Sequence, residues 1–210
     1  MPTYFKGAML SALFSISTAL HASAVDRLGE LLTRHEGIQA DFEQYTLSEE
    51  GARQEHSSGE FVLERPDRFD WHTRLPFEQR IVSDGEYIWI YDPDLEQVTR
   101  KPAGDQAGSA PALILSGRID VLDERFDVRQ VDDTPGREVF ELIPLQPESG
   151  FVRIRLLFSN DLLTELWLED SLGQRTSILL EEIKVDPEVD ETRFDFTPPE
   201  GVDVILDPGV

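Results

Sequence analysis

Arg65 sets the main chemical problem in this chain. It shares alternation parity with Phe61 and Leu63, so a strand starting at Gly59 turns all three toward the apolar side. Pro66 holds Arg65 extended, because the residue before a proline is driven out of the helical region. A guanidinium among apolar side chains costs on the order of several kcal/mol unless its donors meet acceptors. Carbonyls at the end of a helix meet that need, and a short apolar helix expected over 109–117 would supply them. The alternative is a strand that ends at Arg65 and leaves its side chain in water.

Catalytic and metal chemistry find no comparable pattern. Beyond residue 24 the histidines are His35, His56 and His72, with no pair at helical spacing, and the chain has no cysteine. That excludes a thiolate zinc site, a disulfide, a cysteine nucleophile and a lipid-modified cysteine, and it predicts no metal site. Asp92-x-Asp94-x-Glu96 opens like a calcium loop, but Gln97 stands where that loop needs glycine and no glutamate follows at its twelfth position. It reads as a hairpin end. No GxSxG, GxGxxG or P-loop pattern is present, and acidic pairs such as Asp132-Asp133 and Glu181-Glu182 are expected by chance among 42 acidic residues. No catalytic residue and no cofactor is therefore predicted, and the chain does not read as an enzyme.

A chain of 210 residues with 40% hydrophobic and 29% charged residues has room for a sizeable core. Nineteen basic against 42 acidic residues give a net charge of −23. Nucleic acid and anionic membrane are excluded as partners, since both require a basic surface. The N-terminus runs from Lys6 through the uncharged stretch Gly7–Leu20 to His21-Ala22-Ser23-Ala24. A positive start, an apolar stretch too short to span a bilayer and a small-x-small end predict a signal peptide over residues 1–24, cleaved after Ala24. Residues 25–210 are then one exported domain, made one unit more negative by loss of Lys6, and freely soluble in the periplasm.

The elements follow from periodicity. Leu28, Leu31, Leu32 and His35 share a helical stripe over 25–36, with Asp26 as the expected N-cap and Gly37 as the stop. From Ile38 the period becomes two: Ile38, Ala40 and Phe42, then Phe61 and Leu63, then Phe69 and Trp71. Tyr87 to Tyr91 is an apolar strand reached through Ser83-Asp84-Gly85, a hairpin signal. Further strands are predicted over 126–131, 139–143, 152–158, 163–168 and 176–180. Short turns between about ten or eleven strands predict a mainly β, antiparallel meander, enough to curl into a barrel or half-barrel. The segment Lys101–Ala110 is loop-like, and Ala112-Leu113-Ile114-Leu115 then forms an apolar turn stopped by Gly117. It suits either a lid across an open barrel end or a permanent core helix.

Several ordered blocks resemble the periplasmic outer-membrane lipoprotein carriers of the Lol pathway, the LolA family. They are Arg65-Pro66-Asp67-Arg68-Phe69-Asp70-Trp71, Val82-Ser83-Asp84-Gly85, Trp89-Ile90-Tyr91-Asp92-Pro93 with Glu96-Gln97, and Phe194-Asp195-Phe196-Thr197-Pro198-Pro199-Glu200-Gly201-Val202. The resemblance implies an α+β fold: an incomplete antiparallel barrel of about eleven strands, closed by short helices that act as a lid. It implies a carrier that takes acylated lipoproteins from an inner-membrane lipoprotein-releasing ABC transporter and shields their acyl chains. Delivery is then to an outer-membrane acceptor lipoprotein, and the carrier works as a monomer without a membrane anchor. Arg65 matches the arginine that clasps the lid, Phe69 the neighbouring aromatic implicated in transfer, and 110–116 the lid. The expected cavity wall is Phe69, Trp71, Trp89, Leu113, Ile114 and Leu115, and any segment after the Thr-Pro-Pro block is short or absent. The outer-membrane acceptor itself is disfavoured by the lack of cysteine. A lipoprotein-sensing regulatory module with the same fold is the alternative function, and a lipid esterase lacks a recognisable nucleophile.

Overall fold

The computed structural model describes residues 23–48, 54–103, 119–146 and 150–207, with only the backbone of Ile119, Asp120 and Val121. The expected signal peptide up to residue 22 and the expected lid over 110–116 lie outside the described residues.

The first element, α1 (Ala24–Leu32), starts one residue before the stripe predicted from the sequence and ends four residues earlier. Ser23, and not Asp26, is its N-cap. The Ser23 hydroxyl accepts from the Asp26 backbone N–H at 3.1 Å, and the Asp26 carboxylate accepts from the Ser23 N–H at 3.2 Å. Asp26 thus completes a capping box from the third helical position. Leu28, Leu31 and Leu32 form the buried stripe, as the spacing predicts.

Twelve strands follow among the described residues. They are β1 (Gly37–Leu47), β2 (Gln54–Glu64), β3 (Arg68–Leu75), β4 (Gln79–Asp84), β5 (Tyr87–Asp92), β6 (Gln97–Pro102), β7 (Phe126–Thr134), β8 (Arg137–Pro144), β9 (Phe151–Ser159), β10 (Leu162–Asp170), β11 (Arg175–Val185) and β12 (Asp203–Leu206). A 3-10 turn over Pro93–Leu95 joins β5 to β6 at the acidic hairpin end, and a second helix, α2 (Ile119–Arg125), precedes β7. All twelve form one sheet in the order β12-β6-β5-β4-β3-β2-β1-β11-β10-β9-β8-β7. The first eleven strands pair antiparallel. β12 departs from the expected meander by pairing parallel with β6, and it makes a strand of the short segment after the Thr-Pro-Pro block. Its order leaves β12 and β7 as the two edges, so the sheet is open and does not close into a barrel.

Pairing register divides this sheet into two faces. One row is Phe61, Trp71, Ile81 and Ile90, and the next is Leu63, Phe69, Ser83 and Ile88. Side chains directly opposite in antiparallel pairs share a face. On this face Ala40 and Phe42 of β1, Ile178 and Leu180 of β11, Leu166 and Leu168 of β10, and Ile154, Leu156 and Phe158 of β9 join α1 and Leu122 of α2 in one buried cluster. The sheet therefore curves around α1. The other face of β2–β5 carries the row Val62, Asp70, Val82 and Trp89 and is covered by the chain that follows β11, through Phe194 and Phe196.

Candidate functional site

The inward face beside α1 is apolar and aromatic. Trp71 lies 4.3 Å from Phe42 and 5.6 Å from Phe61 between ring centroids, in tilted contact with both. Phe69 sits opposite Leu63 on β2 and Ser83 on β4, half-buried against the same cluster. Gly59 lets β2 approach β3 here: a Cβ at this position would lie 2.0 Å from the His72 carbonyl oxygen, so no other residue fits without moving the strand. The strand periodicity that placed Phe69 and Trp71 on one side in the sequence is thus expressed as an apolar wall packed against the cluster that Leu28, Leu31 and Leu32 join.

Arg65 stands at the end of that wall, immediately after β2. Its backbone N–H donates to the Glu36 carbonyl at 2.8 Å. Its Nε donates to the His35 carbonyl at 3.0 Å, and a terminal nitrogen donates to the Leu32 carbonyl. The side chain therefore reaches the carbonyl of the last residue of α1, which has no intrahelical partner and lies at the negative end of the helix dipole, and one carbonyl of the chain just beyond. Burial lowers the guanidinium pKa, and the nearby Glu36 carboxylate opposes that fall. The sequence assigned the acceptors to 109–117. Among the described residues they lie at the C-terminal end of α1, while 109–117, with Leu113, Ile114 and Leu115, is outside them.

Trp89 is not part of this wall. Register places it opposite Val82, on the outer face, where its ring meets Phe196 at 5.7 Å and the Arg100 guanidinium at 5.4 Å. Its indole N–H donates to the Asp84 carboxylate at 3.3 Å. Tyr87-Ile88-Trp89-Ile90-Tyr91 is apolar at every position, so alternation could not tell its two faces apart.

Three further contacts hold α1, and none was read from the sequence. Arg27 reaches Glu138 at 2.6 Å and Asp161 at 3.0 Å, which ties the helix start to β8 and to the β9–β10 turn. Arg34 meets Asp161 at 2.5 Å. Asp186 accepts from the Glu36 and Gly37 backbone N–H groups at 2.8 and 3.2 Å and lies 3.1 Å from the His35 ring. These contacts, the hydrogen bond from His35 foremost, hold the Asp186 carboxyl below its usual range. Their long sequence separations explain why spacing gave no sign of them. Among the described residues no cluster of three His, Asp or Glu side chains converges on a metal position, and no helix is long and apolar enough to cross a membrane.

The sequence profile of the family "Outer membrane lipoprotein carrier protein LolA" matches residues 33–197. Among curated proteins, the outer-membrane lipoprotein carrier protein of Chromohalobacter salexigens is 40% identical over 196 residues, covering 92% of each chain. That of Hahella chejuensis is 41% identical over 197 residues, covering 93% of this chain and 94% of its own. In fold, an uncharacterized conserved protein from Thermus thermophilus superposes with a TM-score of 0.56 at 13% identity, covering 88% of this chain and 97% of the other. With an open sheet wrapped around an apolar helix, an arginine on that helix's end and this extent of identity, the chain belongs to the LolA family of outer-membrane lipoprotein carrier proteins.

Proposed function

We propose that the protein is exported by cleavage after Ala24 and works in the periplasm. There it accepts acylated lipoproteins from an inner-membrane lipoprotein-releasing ABC transporter and delivers them to an outer-membrane acceptor lipoprotein. The observation that carries this reading is the way α1 is held. Its apolar stripe lies in an apolar cluster with that wall, while the Arg65 side chain hydrogen-bonds to the carbonyls at its end and just beyond it. Such a helix is separable: moving α1 opens the cluster that Leu28, Leu31 and Leu32 share with Phe42, Phe61, Phe69 and Trp71, and acyl chains take the place of the leucines in it.

Energetics support a donor-driven cycle. Burying acyl chains is favourable by about 0.8 kcal/mol per CH₂, so lifting them out of a bilayer is correspondingly uphill. The sequence has no nucleotide-binding motif, so the work of extraction falls to the donor. The carrier's part is an equilibrium between an open form that takes lipid and a closed form that hides its empty wall.

Release of a labelled triacylated lipoprotein from spheroplasts by the purified mature protein tests this. A soluble one-to-one complex, weakened when Trp71 is replaced by serine, is expected. No release above buffer, from a folded protein with a competent donor, would overturn the carrier reading in favour of a lipoprotein-sensing module.

A further inference from the structure

The inward face changes chemistry beyond Trp71. Moving away from α1, the row Phe42, Gly59, Thr73 and Gln79 is followed by Gln44 opposite Ser57. These polar side chains border a cavity of about 590 Å³ at the far end of the same face, closed on one side by the hairpin at Phe77. That volume is within the roughly 300–1,000 Å³ of sites that take small organic groups. Its lining contains amides, hydroxyls, the carboxylates of Glu55, Glu78 and Asp92 and the His56 ring, which is paired with Glu43, but no lysine or arginine. Gln79 donates to Asp92 at 2.8 Å, and Glu78 holds the His72 ring at 2.8 Å.

An apolar wall that runs directly into a polar cavity has the same polarity profile as an acylated head group. Amides and hydroxyls both donate and accept, so they suit the carbonyls of esters and peptide amides. A phosphodiester, in contrast, would enter among three carboxylates with no lysine or arginine in the lining to receive it, and the one imidazole there is already paired with Glu43. We propose that this cavity is the head-group site. It holds the neutral ester-and-amide head of an acylated peptide while the chains lie on Phe42, Phe61 and Trp71, and it turns away the anionic heads of membrane phospholipids. The inference rests on the carrier reading and adds a reason why a carrier moving between two bilayers would not fill with their lipid.

Three probes on the full mature chain separate the possibilities: a neutral N-acyl, S-diacylglyceryl-cysteinyl tripeptide amide, phosphatidylglycerol with matched chains, and the apolar dye N-phenyl-1-naphthylamine. Glu78→Gln with Asp92→Asn is expected to raise phosphatidylglycerol capture about tenfold and leave the lipopeptide within about twofold. Gln44→Leu with Thr73→Val is expected to weaken the lipopeptide about tenfold and leave the dye unchanged. Glu78 is half exposed, so Glu78→Gln alone keeps the first arm available if the double variant folds poorly. An unchanged ratio of lipopeptide to phosphatidylglycerol in the carboxylate variants would overturn the head-group site while leaving the carrier intact. Failure of the wild type to bind any of the three would overturn the carrier reading itself.

Discussion

Two charges, Arg65 just past β2 and Asp70 on β3, do different work, and substitution should separate them. Arg65 closes α1 through the Leu32 and His35 carbonyls, so Arg65→Leu leaves buried acceptors without those donors, at a cost of about 1–3 kcal/mol each. That cost falls on the closed, empty form, which is the product of delivery. The variant should therefore accept lipoprotein normally and pass it on at least about tenfold more slowly. Transfer at the wild-type rate would exclude the clasp. Asp70 is 1% exposed on the outer face and accepts from Arg80 Nε at 2.8 Å and Arg193 Nε at 2.8 Å. Arg193 also reaches Glu60 at 2.5 Å, so this network fastens the chain after β11 onto the sheet. Asp70→Ala should lower the urea unfolding free energy by about 3 kcal/mol, near the bottom of the range for a broken buried pair because both arginines are partly exposed. A loss under about 0.5 kcal/mol would mean that water satisfies both guanidinium groups.

At the scale of elements, α1 is fastened near its start and through the chain just past its end, and the fastening at Asp186 responds to acid. Asp186 joins the α1–β1 connection to the end of β11, and its carboxyl is held below the ordinary range by the His35 ring and two backbone N–H groups. A carboxyl depressed in the folded state contributes stability that is fully present above its unfolded pKa. That contribution is lost as pH falls through the folded value. Asp186→Asn should therefore melt below the wild type near neutral pH, and the gap should close in acid below the usual carboxylate range. A gap independent of pH would assign the effect to geometry instead. Arg27 near the helix start and Arg34 just past the helix end both reach Asp161. The helix stripe itself was legible, because Leu28, Leu31 and Leu32 recur at helical spacing. Its fastenings were not, since each partner lies more than a hundred residues away and leaves no local period. Arg65 was legible only in part. Parity offered a charge among apolar side chains, whose donors demand carbonyls, beside the alternative of a strand end in water. The strand β2 does end at Glu64, while the acceptors come from Leu32 and His35.

For the molecule as a whole, alternation revealed which residues share a face but not what covers each face. Asp70 alternates with Phe69 and Trp71 like any solvent-facing residue, yet the segment around Phe194 buries it. Trp89 went to the wrong face for the related reason that its strand has no polar side. Composition carries a further consequence that no single element holds. The net charge of −23 is spread over a small open sheet, and such a charge destabilises the compact state by self-repulsion. Local pairs act against it, including Arg155 with Glu141 at 2.7 Å and Arg80 with Asp70 at 2.8 Å. Added salt screens both, but unequally. The Debye length falls to about 8–10 Å near physiological ionic strength, well beyond the separation within a pair and short of the distance across the molecule. Repulsion is thus removed first. The thermal midpoint at pH 7 should rise between about 10 and about 300 mM sodium chloride, with most of the gain below about 150 mM where the Debye length changes fastest. A midpoint that falls with salt would mean that the pairs on β8–β11 and at Asp70 dominate the electrostatics of the fold, and that the acidity costs the protein little stability.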